Sequence, residues 1–289
     1  MTASVGEIWR YPAKSMLGQQ LSRVSITPEG VLGDRGWAVR DEVRGGIRGA
    51  KKISQLMRLS ARYLTEPTGQ LPPPHIEIDL PDGSTVLSSA EDVNARLSAA
   101  LNHEVTLWPL QPADNLEHYR RGAPDSDDAL AELRNMFGRT EDEPLPDLSG
   151  LPLEMLAEFE SPPGTYYDVY PLHLLTTASL RSLERLTPGS RADVRRFRPS
   201  LLLSADDDPD NPFPEEAWVG RKLAAGSAIF EVVGACPRCV MITHEVSDLP
   251  TDRALLRTVI QHAHQNLGVY GTVVTPGEVA VGDEVRLLD

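Results

Sequence analysis

Apolar and polar residues alternate in short runs through the first third of the chain. Val5-Gly6-Glu7-Ile8-Trp9-Arg10-Tyr11 alternates until Pro12 and Lys14-Ser15 interrupt it, and Leu21-Ser22-Arg23-Val24-Ser25-Ile26 alternates up to Pro28-Glu29-Gly30. Trp37-Ala38-Val39-Arg40 follows the turn Gly33-Asp34-Arg35-Gly36. Ile76-Glu77-Ile78-Asp79-Leu80, Pro81-Asp82-Gly83 and Thr85-Val86-Leu87 read as a hairpin. A period of two marks strands with one buried face. Turn residues every ten or so positions then predict a barrel or sandwich. Residues 91–101 predict a helix and Val105-Thr106-Leu107-Trp108 a closing strand, with Trp9 and Trp37 as barrel core.

The periodicity fails over 112–164, where Pro124-Asp125-Ser126-Asp127-Asp128, Glu141-Asp142-Glu143-Pro144 and Ser161-Pro162-Pro163-Gly164 are loop chemistry. A structureless loop of that length is uncommon inside one domain, so it predicts a junction with one short helix over 129–137. Beyond it, 174–186 predicts a helix with Thr176 or Thr177 at its N-cap, and Ser200-Leu201-Leu202-Leu203 and 228–233 predict strands. Residues 251–267 carry the strongest helical stripe, capped by Thr251 and Asp252 and closed by Gly268. Residues 269–274 and 281–288 predict final strands, with Tyr270 in the core. The fold class is mainly β with some helix (α+β): a β-rich domain over 1–111, an acidic, proline-rich connecting segment over 112–164, and a second β-rich domain over 165–289.

Composition narrows the function classes. With 289 residues, 40% of them hydrophobic, the chain has core enough for two modest domains. No apolar run approaches the roughly 18 residues of a membrane span. The opening MTASVGEIWRYPAKS lacks the apolar stretch of a secretory signal, which places the protein in the cytoplasm with no membrane partner. A net charge of −14 argues against nucleic acid as a partner. The charge is uneven: eleven Lys/Arg against five Asp/Glu over 1–65, and thirteen acids against four arginines over 112–160. The N-terminal part therefore offers positive potential to an anionic ligand.

Three clusters carry candidate chemistry. Cys236-Pro237-Arg238-Cys239 follows a predicted strand, and Val240-Met241-Ile242-Thr243 reads as its continuation, so the helix that a thioredoxin-like pair requires is missing. A zinc knuckle needs a second ligand pair, and His244 with His262 and His264 fits no familiar spacing. What remains is a thiolate beside a cation, with Arg238 favouring ionised Cys239, or a pair of small buried residues. Lys14-Ser15 and Asp34-Arg35 sit at turns and offer phosphate ligands through charge-assisted hydrogen bonds, or are two ordinary surface turns. Arg195-Arg196-Phe197-Arg198-Pro199 places basic residues before a strand, facing either an anion or solvent.

Taken in order, Tyr11-Pro12-Ala13-Lys14-Ser15, Gly33-Asp34-Arg35-Gly36-Trp37, Phe197-Arg198-Pro199-Ser200, Cys236-Pro237-Arg238-Cys239 and Val281-Gly282-Asp283 resemble a MOSC protein with a MOSC N-terminal β-barrel domain, similar to the amidoxime-reducing component family. The resemblance implies a MOSC β-barrel domain and an N-terminal β-barrel domain enclosing a molybdenum cofactor (Mo-molybdopterin). It implies Cys239 as the metal ligand and catalytic position, and Lys14, Ser15, Arg35, Arg198, Ser200 and Arg238 as cofactor-binding residues. Ser200 stands where relatives often carry Asn. Val169 and Tyr170 replace small hydroxyl residues in the stretch 168–179, which implies a reshaped pocket.

The function this implies is a cofactor-dependent oxidoreductase that reduces N-hydroxylated or other N- or S-oxygenated small molecules. The protein supplies the cofactor's position and the metal does the redox chemistry. Two cysteines cannot hold an iron–sulfur cluster, so electrons come from a separate flavin or iron–sulfur partner. The acidic segment is either a solvated loop or a dock for that donor. The alternative is a carrier of cofactor or of sulfur, as a persulfide on Cys239 or Cys236. Pyridoxal phosphate is not expected: none of Lys14, Lys51, Lys52 and Lys222 sits in a Schiff-base motif.

Overall fold

The computed structural model describes residues 3–288. Seven strands close a barrel in the order Leu201–Ala205, Leu172–Thr176, Asn266–Thr275, Ala228–Pro237, Lys222–Ala225, Glu284–Leu288 and Ala3–Arg10, which pairs back with Leu201–Ala205. The short strand Gln19–Leu21 extends the sheet beside Ala3–Arg10. Leu172–Thr176 and Leu201–Ala205 run parallel, and the helix Thr177–Leu186 follows the first of them in the crossover that a parallel pair requires.

Alternation explains the layering. Val5, Ile8, Leu172, Leu174, Leu201, Leu203, Phe230 and Val232 fill the barrel interior. Their neighbours Leu175 and Leu202 face outward and pack under Leu183 of Thr177–Leu186 and Leu255 and Val259 of the helix Arg253–His262. A second core lies in the N-terminal part, around Val39, Leu56, Leu59, Ile76, Ile78 and Leu97. It is enclosed by two three-stranded sheets, one of Val105–Pro109, Trp37–Asp41 and Ile47–Arg48, the other of Ser60–Tyr63, Ile76–Asp79 and Thr85–Leu87. The chain is thus mixed α+β and mainly β.

Sheet membership crosses the middle of the sequence. Ala3–Arg10 is a stave of the C-terminal barrel, and Arg23–Thr27 pairs with Gly277–Ala280. The turns that follow these strands, at Lys14-Ser15 and Asp34-Arg35, are thereby brought to the mouth of the barrel.

Several expected elements differ. The helix expected over 174–186 begins at Thr177, capped by Thr176, because residues 174–176 belong to the barrel strand Leu172–Thr176. The run 21–26 is broken into Gln19–Leu21 and Arg23–Thr27, which serve different sheets. The helix expected to reach Leu267 stops at His262; Asp252 caps it by accepting from the Ala254 amide. His264 and Gln265 take positive φ, and Leu267, Gly268 and Val269 are drawn into the barrel between two strands. An apolar run buried on both faces outweighs a helical stripe there. Gly268 is therefore no helix terminator. At φ +78, a Cβ on it would meet His173 Nε2 at 2.3 Å. Finally, Val240–Thr243 is a 3-10 turn and not a strand, with Cys239 as its N-terminal flanking residue.

The connecting segment is more ordered than its composition predicts. The helix Ala129–Phe137 forms as expected, with the Asp128 carboxylate accepting from the Leu130 and Ala131 amides. The unexpected helices Leu116–Tyr119 and Leu153–Glu158 flank it. Some of its acids are paired within the chain: Asp125 and Glu132 with Lys52, Glu143 with Arg257, Glu158 with Arg120 and Glu160 with Arg121. Lys52 from the N-terminal part and Arg257 from the C-terminal part tie the segment to the rest of the chain.

Candidate functional site

A cavity of about 700 Å³ opens between the barrel mouth, the N-terminal turns and the connecting segment. Arg35, Lys51, Arg198, Arg238, Cys236 and Cys239 all line it. Among the sequence candidates, the fold therefore gathers Arg35, Arg198, Arg238 and Cys239 on one wall. Lys14, Ser15 and Ser200 lie behind that wall. The Lys14 ammonium donates to Tyr166 O and Asp168 Oδ1, both at 2.8 Å, and to Ser161 Oγ at 3.3 Å. Ser15 Oγ accepts from the Ala50 amide at 2.9 Å. Ser200 is committed to the barrel, its amide donating to His173 O at 2.7 Å.

The wall is built on strained backbone. Ser15, Arg35 and Arg198 have φ of 65°, 51° and 56°, a left-handed conformation that costs a residue bearing a Cβ about 1–3 kcal/mol. Surrounding contacts enforce it. The Tyr11 amide donates to Asp34 Oδ1 at 2.7 Å, Arg35 pairs with Asp34, and the Tyr11 hydroxyl donates to Pro199 O at 3.0 Å. Both guanidiniums use the Tyr11 ring, Arg198 at 4.1 Å from its centroid and Arg35 at 5.4 Å. Two like charges thus converge on one aromatic ring of the site.

The charges do not balance. Arg35, Lys51, Arg198 and Arg238 line the cavity with Lys14 behind it; Asp34 and Asp168 pair with this group, and Glu160, which also lines the cavity, is paired with Arg121. Asp168 bridges Lys14 at 2.8 Å and Lys51 at 3.0 Å. Burial alone would raise its pKa, but the two ammoniums outweigh burial and hold it well below the usual range. Burial pushes Arg198 down to about 10, so it stays charged at neutral pH, and its buried Nη2 has no hydrogen-bond partner. The Nε of Arg238 is likewise unpartnered. Buried guanidinium groups left unsatisfied are costly, and an anion in the cavity would satisfy them.

The two cysteines differ in their surroundings. Arg238 Nη1 donates to Cys236 Sγ at 3.0 Å while Nη2 donates to Phe197 O at 2.8 Å. Arg238 favours ionised Cys239 through its charge, while its guanidinium is anchored on Cys236. Burial pushes the Cys239 thiol up, opposed by Lys51 first and by Arg238 only weakly. Lys51 is the cation that the sequence reading missed, although the pair Lys51-Lys52 was visible. Cys239 is half-buried at the cavity surface, whereas Cys236 is buried. Trp37 is core as expected. Tyr270 instead lines the cavity, where it bonds to Cys236.

His173 is a further wall residue that the sequence did not single out. Arg238 Nη1 and the Leu267 carbonyl oxygen both lie 3.4 Å from its Nε2, which accepts from the first in one tautomer and donates to the second in the other. Burial, reinforced by Arg238, pushes its pKa down to about 3. Protonation therefore favours the unfolded chain. The stability held by neutral His173 is complete above the unfolded pKa of about 6.5 and falls as pH drops from there toward 3. Between pH 7.5 and 5 the loss from this group is expected to be about 2 kcal/mol. In urea melts at the two pH values, His173→Gln should lack this part of the pH dependence; an unchanged slope would refute the assignment.

Among the described residues, no cluster of three or more His, Cys, Asp or Glu could hold a metal ion. One accessible thiol in a cationic cavity is the donor set for a metal whose other ligands arrive on an anionic cofactor, and these residues fit such a group. No helix of the described residues is long and apolar enough to cross a membrane.

Comparison with known proteins agrees with this geometry. Residues 163–286 match the model of the MOSC domain, and residues 2–116 match that of the MOSC N-terminal beta barrel domain. Mitochondrial amidoxime reducing component 2 of Homo sapiens is 27% identical over 98% of this chain and 82% of its own length. Mitochondrial amidoxime-reducing component 1 of Homo sapiens is 24% identical over 99% of this chain and 83% of its own. Molybdenum cofactor sulfurase of Solanum lycopersicum is 24% identical over 80% of this chain, which corresponds to 28% of that protein.

Proposed function

The chain belongs to the MOSC proteins that carry a MOSC N-terminal β-barrel domain, and on that premise we propose that it is a molybdenum-cofactor oxidoreductase. Its proposed substrates are N-hydroxylated or other N- or S-oxygenated small molecules. The observation that carries this reading is the unbalanced positive charge around Cys239, with Arg198 Nη2 buried and unpartnered. An anionic cofactor would satisfy what the protein leaves open. Arg35, Arg198 and Arg238 would hold its charged groups, with Lys14 and Lys51 exchanging part of their pairing to Asp168 for the same purpose. Ser15 keeps a hydroxyl proton to donate, and Ser200 holds the strand end beneath.

Cys239 is proposed as the protein's ligand to the metal. It must lose its proton to bind, and Lys51 is the cation whose charge most favours that loss. The cofactor supplies two-electron oxygen-atom chemistry when bound. For an N-hydroxy substrate the balance is R–NHOH + 2e⁻ + 2H⁺ → R–NH₂ + H₂O, with electrons from a separate flavin or iron–sulfur protein. Around that chemistry the chain orients the substrate, excludes water and keeps His173 neutral.

A second reading has its own observation. Both cysteines line the cavity, which suits a carrier holding sulfur as a persulfide. Turnover separates the two. Metal-loaded protein supplied with reduced viologen is expected to convert benzamidoxime to benzamidine over many cycles. A single stoichiometric event, or none, would favour the carrier.

A further inference from the structure

The cavity has two unlike ends. One is the cationic wall that ends at Cys239. The other is a roof supplied by the connecting segment, with Leu133, Met136 and Phe137 from Ala129–Phe137 and Leu156 from Leu153–Glu158. All four are half-buried, and neither helix contributes a fully buried residue, so their apolar side chains line the cavity rather than a core. The roof lies in residues 117–162, between the two family matches.

The roof is pinned on both sides. Lys52 pairs with Asp125 at 2.6 Å and also with Glu132, and Arg257 holds both oxygens of Glu143 at 2.6 and 2.7 Å. Gly138 ends the first helix in a left-handed turn so close to the 3-10 turn after Cys239 that a Cβ would meet Val240 Cγ1 at 3.1 Å. Met136 and Phe137 are thus fastened near Cys239. A charged cofactor gains nothing from an apolar wall, whereas an apolar group placed there leaves water.

We propose that residues 121–157 form a substrate-selecting roof: the reducible polar head of the substrate faces Cys239, and a bulky apolar body, aromatic or branched aliphatic, lies under Leu133, Met136, Phe137 and Leu156. The inference rests on the reductase reading and adds the kind of molecule reduced.

The test is binding, measured by calorimetry on the metal-loaded full chain with benzamidoxime and acetamidoxime, which share a head and differ in body. Wild type is expected to bind benzamidoxime at least about tenfold tighter, the discrimination an apolar pocket gives for a few added carbons. The double variant Leu133→Gln/Leu156→Gln is expected to erase most of that ratio while leaving acetamidoxime affinity and metal content unchanged. Leu133→Ala/Leu156→Ala, which removes apolar area without adding a polar group, should move the ratio the same way. Equal affinities in wild type, a ratio untouched by both variants, or no binding of either probe overturns the roof. Discrimination without viologen-driven reduction of either probe sinks the reductase reading and leaves the roof standing. Reduction of both with equal affinity does the reverse.

Discussion

Serine in place of Cys239 is expected to leave a folded chain that carries no molybdenum. Cys239 is the more exposed of the two cysteines that line the cavity, and no cluster of three or more His, Cys, Asp or Glu that could hold a metal lies among the described residues. A serine hydroxyl does not ionise near neutral pH and is a hard donor, so the one soft anionic ligand is lost. The fold should not notice. Cys239 is half-buried and flanks a short 3-10 turn, a position serine fills well, so stability should stay within about 0.5 kcal/mol. Cys236→Ser is the control, because Cys236 holds Arg238 and is not proposed as a ligand. Elemental analysis of both variants decides it. Metal retained in Cys239→Ser and lost in Cys236→Ser would move the ligand to the other cysteine.

The second large effect is expected at Asp34. Its buried carboxylate accepts from the Tyr11 amide and pairs with Arg35, and it faces Arg198. Alanine there strands two converging guanidiniums beside one aromatic ring, with an unpaired amide behind them. Breaking a buried pair from one side costs about 3–5 kcal/mol. Asp34→Asn keeps an acceptor for the amide and should lie between alanine and wild type. The loss should be smaller in cofactor-loaded protein, because a bound anion supplies the missing negative charge. Urea denaturation of loaded and cofactor-free chains measures both. An identical loss in the two states would argue that no anion binds near Arg35.

Much of this arrangement was legible in the sequence for physical reasons. Alternation marked the run 5–11 and the 76–87 hairpin; the first forms most of Ala3–Arg10, with a register shift between Val5 and Glu7. Arg35, Arg198, Arg238 and Cys239 could be named because they sit in short motifs at turns and strand ends. Pairing across the chain was not legible. Nothing local says that Ala3–Arg10 joins a barrel made by the second half, since strand partners are set by tertiary packing.

The same limit hid three features of the site. Arg238 turns to Cys236 although Cys239 is its sequence neighbour, because the guanidinium also reaches Phe197 O. Asp168 and Lys51 meet only in space. The connecting segment looked like loop because proline and acids dominate it. Its order comes from Lys52 and Arg257, which lie far away in sequence, and from apolar side chains facing a cavity rather than a core.

The most direct test of the central claim is the amount of molybdenum and pterin bound by wild-type chain produced in a host that makes the cofactor. Metal is read by elemental analysis and pterin by fluorescence after oxidative release. The account predicts close to one metal and one pterin per chain. Protein folded and pure from such a host, yet free of both, would contradict it.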